Sequence, residues 1–495
     1  MPVRLSGLTS GLDTDAIVQA LVSAYSTKKD KYVKEQTKVD WKRDAWKSLN
    51  SKIYSLYTSV SNLKYSSAYT LKKTTVSDTT KATVSASTDA INGTQSLEVK
   101  KLSQTAYLTG AKVDSSVKGS TKLSELGVTG DTNLTVTTGK GADAKETTIS
   151  LNADSTVQEF VNQIKGAGLS ANFDESNNRI FISALQGGKD SDFSITAADD
   201  SGTSLLNNLG ISNGNKIEGQ NALIKLNGVE FEGSSNTFSI NGLSITAQAI
   251  TAEDSPITIT TNTDSQGLYD KIKDFLTEYN SVINEMTSLY NAPSAGSYEP
   301  LTDEEKDAMS DTEVEKWEKK IKDSLLRNDS SLNSITSIMK NSMQKSYTID
   351  GKSYSLSSFG IHTLGIMGAA ENEQNAFHID GDEDDDKTAG NTDKLMKAIT
   401  DDPDTVIDFM KQLTSNLYTN IDKKMKSTTM NSAYKVYNDK QLDKEYNNYS
   451  KLISEWEDRL AEKEDYYYKK FSNMEQALAK LQSSSSSFTN MFGSR

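Results

Sequence analysis

Apolar residues recur every seven positions at both ends of the chain, the spacing by which coiled-coil helices keep one stripe facing a partner. The N-terminal stripe contains Val18, Leu21, Tyr25, Tyr32, Val39 and Trp46, and it continues through Ile53 and Val60. The C-terminal stripe contains Tyr446, Tyr449, Ile453, Trp456, Leu460, Tyr467, Phe471, Met474, Leu478 and Leu481. We call these two stripes the terminal seam, and they predict two long helices, distant in sequence, that pack together.

Charged residues interrupt both stripes of the terminal seam. Lys28, Glu35 and Lys42 occupy seam positions in the first helix, and Lys463 and Lys470 do so in the last. Because a fully buried large side chain contributes only about 1.5 to 3 kcal/mol, such a stripe predicts a weak contact that becomes ordered on meeting other copies or a partner. An ordinary intramolecular hairpin whose seam is its own core explains the same periodicity.

The pattern changes twice between the two stripes. From about residue 70 to 262, short alternating segments rich in Ser, Thr and Val predict strands, and Ser155 with Gln158 predicts a capping box that opens a short helix. From about residue 265, helical spacing resumes, with apolar faces over 268–286 and 406–417. We expect these helices to pack with residues 46–63 as a bundle. Asp13 is placed to cap the first helix.

These patterns together predict an α+β multidomain fold with terminal coiled-coil helices, a helical bundle and two nested small β-rich domains. The predicted domains are a terminal helical leg (1–45 and 450–495), a bundle (46–72 and 265–449), a β-rich domain (73–112 and 218–264) and an inserted variable β-rich domain (113–217).

Composition narrows the range of partners. The net charge of the 495-residue chain is −14, which disfavours a nucleic-acid partner because phosphates would be repelled. No apolar run approaches the roughly 20 residues that span a bilayer, so no membrane insertion is predicted. The absence of cysteine excludes disulfides and thiolate chemistry. Residues 1–8 lack the features of a secretory signal peptide, so the protein stays inside or leaves by another route.

Chemistry-bearing motifs give no catalytic, cofactor-binding or metal-binding residues. The two histidines, His362 and His378, belong to no metal or nucleophile motif. The acidic run over 380–386 resembles a calcium loop, but Asp385 stands where the turning glycine is needed. We interpret this run as a solvated acidic loop and predict no cofactor. Tyrosines 466–468 are expected to pack in the seam rather than to bind a ligand.

Several segments are similar to one known family. Residues 10–18 (SGLDTDAIV) resemble the opening signature of the flagellar filament cap family, also called hook-associated protein 2. Residues 77–86, 93–99 and 227–229 support the match, and 301–306 with 325–329 resemble the variant found in Gram-positive bacteria. Residues 468–471 and 475–478 resemble its closing helix. The resemblance fades across 113–217.

The resemblance implies an exported homo-oligomer, usually a pentameric ring, at the growing filament tip. Its partners would be flagellin, the hook-filament junction proteins and, before secretion, an export chaperone. Delivery would use the flagellar type III apparatus and an uncleaved N-terminus, which places the protein outside the cell. The terminal helices would be legs among flagellin subunits, which fold in a chamber beneath the ring.

The mechanism expected from this resemblance is non-enzymatic. Weakly seamed legs would exchange partners as the cap advances, and the charged seam positions would limit affinity so that the motion does not stall. The alternative is a secreted surface adhesin with a helical stalk and a β head that binds host glycan or mucus. A solvent-facing spacer is a further interpretation of the variable lobe.

Overall fold

A computed structural model of the chain describes residues 10–492. It divides into two compact units, one built from the residues up to Tyr69 and from Ser265 onward, the other from Thr70–Asp264. The mixture of long helices and small antiparallel sheets confirms the predicted α+β multidomain class. The finer division into four domains stays a prediction, and residues 1–9 and 493–495 of the predicted leg lie outside the described residues.

The elements follow in chain order. The helices are α1 (Thr14–Leu63), α2 (Val157–Gly166), α3 (Asp200–Asn208), α4 (Ser265–Tyr290), α5 (Asp303–Asp307), α6 (Asp311–Ser324), α7 (Ser330–Met343), α8 (Gly365–Gly368), α9 (Lys394–Asp401), α10 (Pro403–Met425) and α11 (Asp439–Phe492). The strands are β1 (Lys72–Val76), β2 (Ala82–Ala86), β3 (Gly93–Lys101), β4 (Thr105–Thr109), β5 (Thr132–Thr138), β6 (Lys145–Leu151), β7 (Leu169–Asp174), β8 (Arg179–Gly187), β9 (Phe193–Ala197), β10 (Asn215–Ile217), β11 (Ala222–Leu226), β12 (Val229–Gly233), β13 (Thr237–Ile240), β14 (Leu243–Ala247), β15 (Ile257–Thr263), β16 (Tyr347–Ile349), β17 (Lys352–Tyr354), β18 (Ile361–Thr363) and β19 (Phe377–Ile379).

Two uninterrupted helices dominate the first unit. The Asp13 carboxylate accepts a hydrogen bond from the Ala16 amide at 3.0 Å, which confirms the predicted cap of α1. From there α1 runs for 50 residues and α11 for 54. Each helix therefore continues through the position where the sequence predicted a boundary between leg and bundle.

The second half of α1 forms a bundle with α4, α7, α9 and α10. Its core is apolar side chains removed from water, which supply the main stabilisation. The largest of them include Trp46, Leu49, Ile53, Leu56, Tyr279 and Phe409.

In the second unit, one core lies between two antiparallel sheets. Their strand orders are β1-β15-β3-β11-β12 and β13-β14-β2. The hairpin between β11 and β12 turns at Asn227 and Gly228, both at positive φ (50° and 84°), as a two-residue turn of this kind requires. Leu97, Val99, Ile224, Ile245 and Ile259 fill the core from both sheets.

A further core of the second unit joins the sheets β10-β4-β8-β7 and β6-β5-β9 to α2 and α3. Here the predicted capping box is wrong by one residue: Thr156 caps α2 and Glu159 reciprocates. The reason is local, because the Ser155 hydroxyl is engaged with Asn152 in the preceding turn.

Candidate functional site: the terminal helical pair

Helices α1 and α11 pack against each other in opposite directions. The Arg43 side chain meets Asp443 at 3.1 Å, Lys28 meets Trp456, and Asp15 meets Tyr468. Because residue numbers fall along α1 as they rise along α11, the two helices are antiparallel. The first and last long helices of the described chain therefore pack together, as the seven-residue repeats predicted.

The residues of the terminal seam differ widely in burial. Val18, Trp46, Ile53 and Val60 are fully buried, and Leu21 and Leu481 are exposed, at 42% and 66%. The others are half-buried: Tyr25, Tyr32, Val39, Tyr446, Tyr449, Ile453, Trp456, Leu460, Tyr467, Phe471, Met474 and Leu478. The seam between its ends is therefore a partly open aromatic contact rather than a closed core. The assignment of these residues as a functional site stays a prediction.

The start of α1 buries a valine instead of the leucine that the seven-residue spacing predicted. Val22 is buried where Leu21 was expected. On an ideal helix Val22 lies about 40° from Val18 and Leu21 about 60° away on the other side, so the seam follows the four-residue step here. The spacing Val18, Val22, Tyr25 was the signal that could have found it.

Two lysines at seam positions cover aromatic rings of the opposite helix. The Lys28 ammonium lies 5.1 Å from the centre of the Trp456 ring, and the Lys463 ammonium lies 5.8 Å from that of Tyr25. Arg43 repeats the arrangement 5.0 Å from Tyr446. Because long cationic side chains can lie over a ring while their charge remains in water, these positions extend the contact instead of interrupting it.

The remaining charged seam positions have other partners. Lys42 pairs with Asp329, the cap of α7, at 2.8 Å, and Glu35 pairs with Lys38 at 3.0 Å. The Lys470 ammonium lies 5.2 Å from the ring of Tyr466 on its own helix. The middle of α1 is therefore fastened to the bundle as well as to α11.

Polar contacts near the start of α1 hold the two helices together at the end of the pair that is farther from the bundle. The Ser10 amide donates to the buried Glu475 carboxylate at 3.2 Å, and the Ser10 hydroxyl donates to the other oxygen of that carboxylate. The Tyr468 hydroxyl donates to Asp15 at 2.9 Å. None of these partners was predicted, because no local pattern relates residues more than 450 positions apart.

The acidic run over 380–386 is only partly the solvated loop that its composition predicted, because Glu383, Asp384 and Asp386 are exposed but Asp380 is buried. The Asp380 carboxylate is buried and accepts hydrogen bonds from His362 at 2.9 Å and Asn391 at 2.7 Å. Burial acts to raise the pKa of Asp380, but these two hydrogen bonds outweigh it and hold the pKa below its usual value.

Lys273 and His378 hold three more carboxylates of the acidic run. The Lys273 ammonium bridges Asp382 and Asp384, at 2.6 Å from each, and His378 bonds Asp385 at 2.6 Å. His378 stands directly opposite His362 in the β18–β19 pair, so both histidines of the chain hold this loop. Within residues 10–492, no group of His, Cys, Asp and Glu side chains has an arrangement that could hold a metal ion.

None of the described helices has both the length and the apolar character that crossing a membrane requires.

The fold and its paired ends define an α+β multidomain protein with coiled-coil termini. A family model described as the flagellar hook-associated protein 2 C-terminus matches residues 219–483, and one described as its N-terminus matches residues 10–106. The chain belongs to the flagellar hook-associated protein 2 family, as its sequence motifs indicated.

Individual relatives agree. The flagellar hook-associated protein 2 of Halalkalibacterium halodurans is 23% identical over 538 residues, covering 96% of this chain and 97% of its own. The A-type flagellar hook-associated protein 2 of Pseudomonas aeruginosa is 26% identical over 59% of this chain and 64% of its own. In fold, the D1-D2-D3 domains of the flagellar cap protein FliD from Escherichia coli match with a TM-score of 0.53 at 22% identity, over 78% of this chain and 97% of theirs.

Proposed function

We propose that this protein is a filament cap at the tip of the bacterial flagellum, outside the cell. It retains exported flagellin subunits and promotes their folding and insertion beneath it. Membership of the flagellar hook-associated protein 2 family supports this role. So does the likeness in fold to a flagellar cap protein.

The observation that carries the proposal is the half-open seam between α1 and α11. Rings such as Tyr25 and Trp456 are covered by the exposed side chains of Lys463 and Lys28 rather than by closed packing. A cation over an exposed ring contributes only about 0.5 to 1 kcal/mol, so individual contacts in the leg can be given up and remade. A leg that must release one flagellin contact and form the next requires contacts of this strength.

The role is non-enzymatic and needs no cofactor. The working form is a ring of identical copies, five by family resemblance, which contacts flagellin and the hook-filament junction proteins. The chain reaches this site through the flagellar type III apparatus with its N-terminus uncleaved, escorted by an export chaperone until secretion.

Deletion of the gene from its native host tests the proposal. We expect abundant unpolymerised flagellin in the culture medium and absent or short filaments by electron microscopy, both restored by the intact gene. Complementation of the deletion strain with a chain that lacks residues 478–492 tests whether the leg is needed. We expect this shortened chain to leave flagellin in the medium. Normal filaments without the gene would contradict the cap and favour the surface adhesin, with α1 and α11 as its stalk.

A further inference from the structure

A line of tyrosines crosses the surface between α1 and α10. Tyr434 meets Tyr54 edge-on with ring centres 5.7 Å apart, and Tyr54 lies 5.8 Å from Tyr57. Tyr57 stacks on Tyr418 at 4.8 Å, and the Lys64 ammonium lies 4.0 Å above the Tyr418 ring. We call these five residues the tyrosine ladder. Its outer rings are open to solvent, with Tyr434 56% and Tyr54 41% exposed.

The tyrosine ladder is held rigid from beneath. The buried Asn50 amide donates to the Tyr434 carbonyl at 3.1 Å and accepts from the Val436 amide at 3.0 Å. Tyr434 adopts a φ of 61°, a left-handed conformation that is unfavourable for a bulky residue. The surrounding bonds thus maintain a strained backbone that presents an aromatic ring to solvent, a feature that concentrates at functional surfaces. Rigid tyrosines also supply contact area at low entropic cost.

A complementary surface lies on another side of the same unit. Glu383, Asp384 and Asp386 of the acidic run are exposed, the Asp384 side chain at 85%. Their loop is already fixed by Lys273 and the two histidines, so docking on it would cost little ordering.

Helix α1 carries Tyr54 and Tyr57 of the ladder and also contacts the helix that holds the acidic loop. Through Tyr57 it bonds Asp422 of α10 at 2.9 Å, on the side of the ladder. Through Lys52 it pairs with Glu285 of α4 at 2.6 Å, and α4 carries the Lys273 that holds the acidic loop. The ladder and the loop therefore belong to separate faces of one bundle.

We propose that the tyrosine ladder of one copy docks on the acidic loop of the next copy. Lys64 supplies a positive charge and the exposed Tyr54 and Tyr434 supply hydroxyl donors, and the exposed Glu383 and Asp386 supply carboxylate acceptors, so the two surfaces are complementary in charge. Because two different patches of the same chain meet, the contact is heterologous, and a ring forms when the rotation between successive copies closes on itself. The inference rests on the proposed cap, which requires several copies, and it names the faces that join them.

Charge exchange tests the contact. For the purified full-length chain, we expect concentration-dependent association in sedimentation velocity. Lys64→Glu should weaken it at least about tenfold, Glu383→Lys should do the same, and the double variant should recover most of the loss, since it restores opposite charges across the contact. Lys316→Glu on α6 makes the same charge change away from both surfaces and should leave association unchanged.

A substitution that changes no charge tests the contribution of the Tyr434 aromatic ring separately from that of the charges. Tyr434→Asn removes the aromatic ring while Asn tolerates a positive φ, so the loop keeps its backbone, and association should weaken at least about tenfold. Thermal unfolding of each variant checks that the bundle remains folded.

The outcomes separate this inference from the cap itself. Wild-type association that all of these variants retain would overturn the ladder contact, and so would a wild-type chain that stays monomeric at every concentration. In either case, loss of filaments on gene deletion would still support the cap. Normal filaments in the deletion strain would instead reject the cap, whatever the association data show.

Discussion

The ring of Trp46 lies flat against that of Tyr437, with centres 5.0 Å apart and planes inclined by 6°. Trp46 sits in α1, and Tyr437 comes two residues before α11 begins. Both side chains are buried. The stack therefore connects the two ends of the chain at the point where the terminal pair enters the bundle.

Replacement of Trp46 by Ala should destabilise the first unit by about 3 to 5 kcal/mol, because it removes a large buried ring and leaves a cavity beside Tyr437. Urea unfolding followed by far-ultraviolet circular dichroism measures the loss. Trp41→Ala is the control, since Trp41 is half-buried and its ring is covered by Lys322 at 4.4 Å. Equal losses in the two variants would contradict the central place of the Trp46 stack.

Replacement of Asn50 by Ala should cost about 1 to 3 kcal/mol, because the Tyr434 carbonyl and the buried Val436 amide lose their partner. Amide hydrogen exchange should quicken first over residues 430–438, the segment that Asn50 holds. Ser48→Ala, at an exposed position of the same helix, should stay within about 0.5 kcal/mol of wild type. Unchanged amide hydrogen exchange over residues 430–438 in the Asn50 variant would show that contacts other than those of Asn50 hold this segment.

Acid should weaken the bundle through the loop over 380–386. Burial acts to raise the pKa values of Asp380 and Asp385, but their hydrogen bonds, first among them those with His362 and His378, outweigh it and hold both pKa values below their usual range. A carboxyl with a depressed folded pKa stabilises the protein above its unfolded value of about 4, and that stabilisation is lost as the pH falls through the folded pKa. Stability measured by urea titration should therefore fall below about pH 4.

Asp380→Asn removes one of these carboxylates. The variant should be less stable at pH 7 by about 1 to 3 kcal/mol, since His362 and Asn391 lose a charged acceptor, and its stability should depend less steeply on pH in acid. Asp386→Asn, at an exposed position of the same loop, should match wild type at pH 7. An acid profile as steep as that of wild type in Asp380→Asn would assign the acid sensitivity to other groups.

Replacement of Lys28 and Lys463 by Leu should strengthen the contact between α1 and α11. In Lys28→Leu with Lys463→Leu, added apolar contact with Trp456 and Tyr25 favours the closed pair. We expect a protein that still caps but yields shorter filaments by electron microscopy, because a firmly closed leg releases its partners slowly. Lys31→Leu on the exposed side of α1 is the matched control. Filaments of normal length in the double variant would contradict the hypothesis that weak leg contacts set the rate of filament growth.

The sequence alone determined the long helices, the cap at Asp13, the strand-rich middle and the family, because these are encoded in neighbouring residues or in motifs along the chain. Periodicity of seven places most of a stripe on one face of a helix, whatever that face later meets.

Only the tertiary structure decided which side chains meet. Burial of Val22 rather than Leu21 depends on how α1 is rotated against α11, which a one-residue difference in spacing does not resolve. Lys273 and Asp382 are 109 positions apart, and Asn50 and Val436 are 386 apart, so no local pattern connects them. The acidic run looked solvated because composition records its charges but not the cations that folding brings within hydrogen-bonding distance.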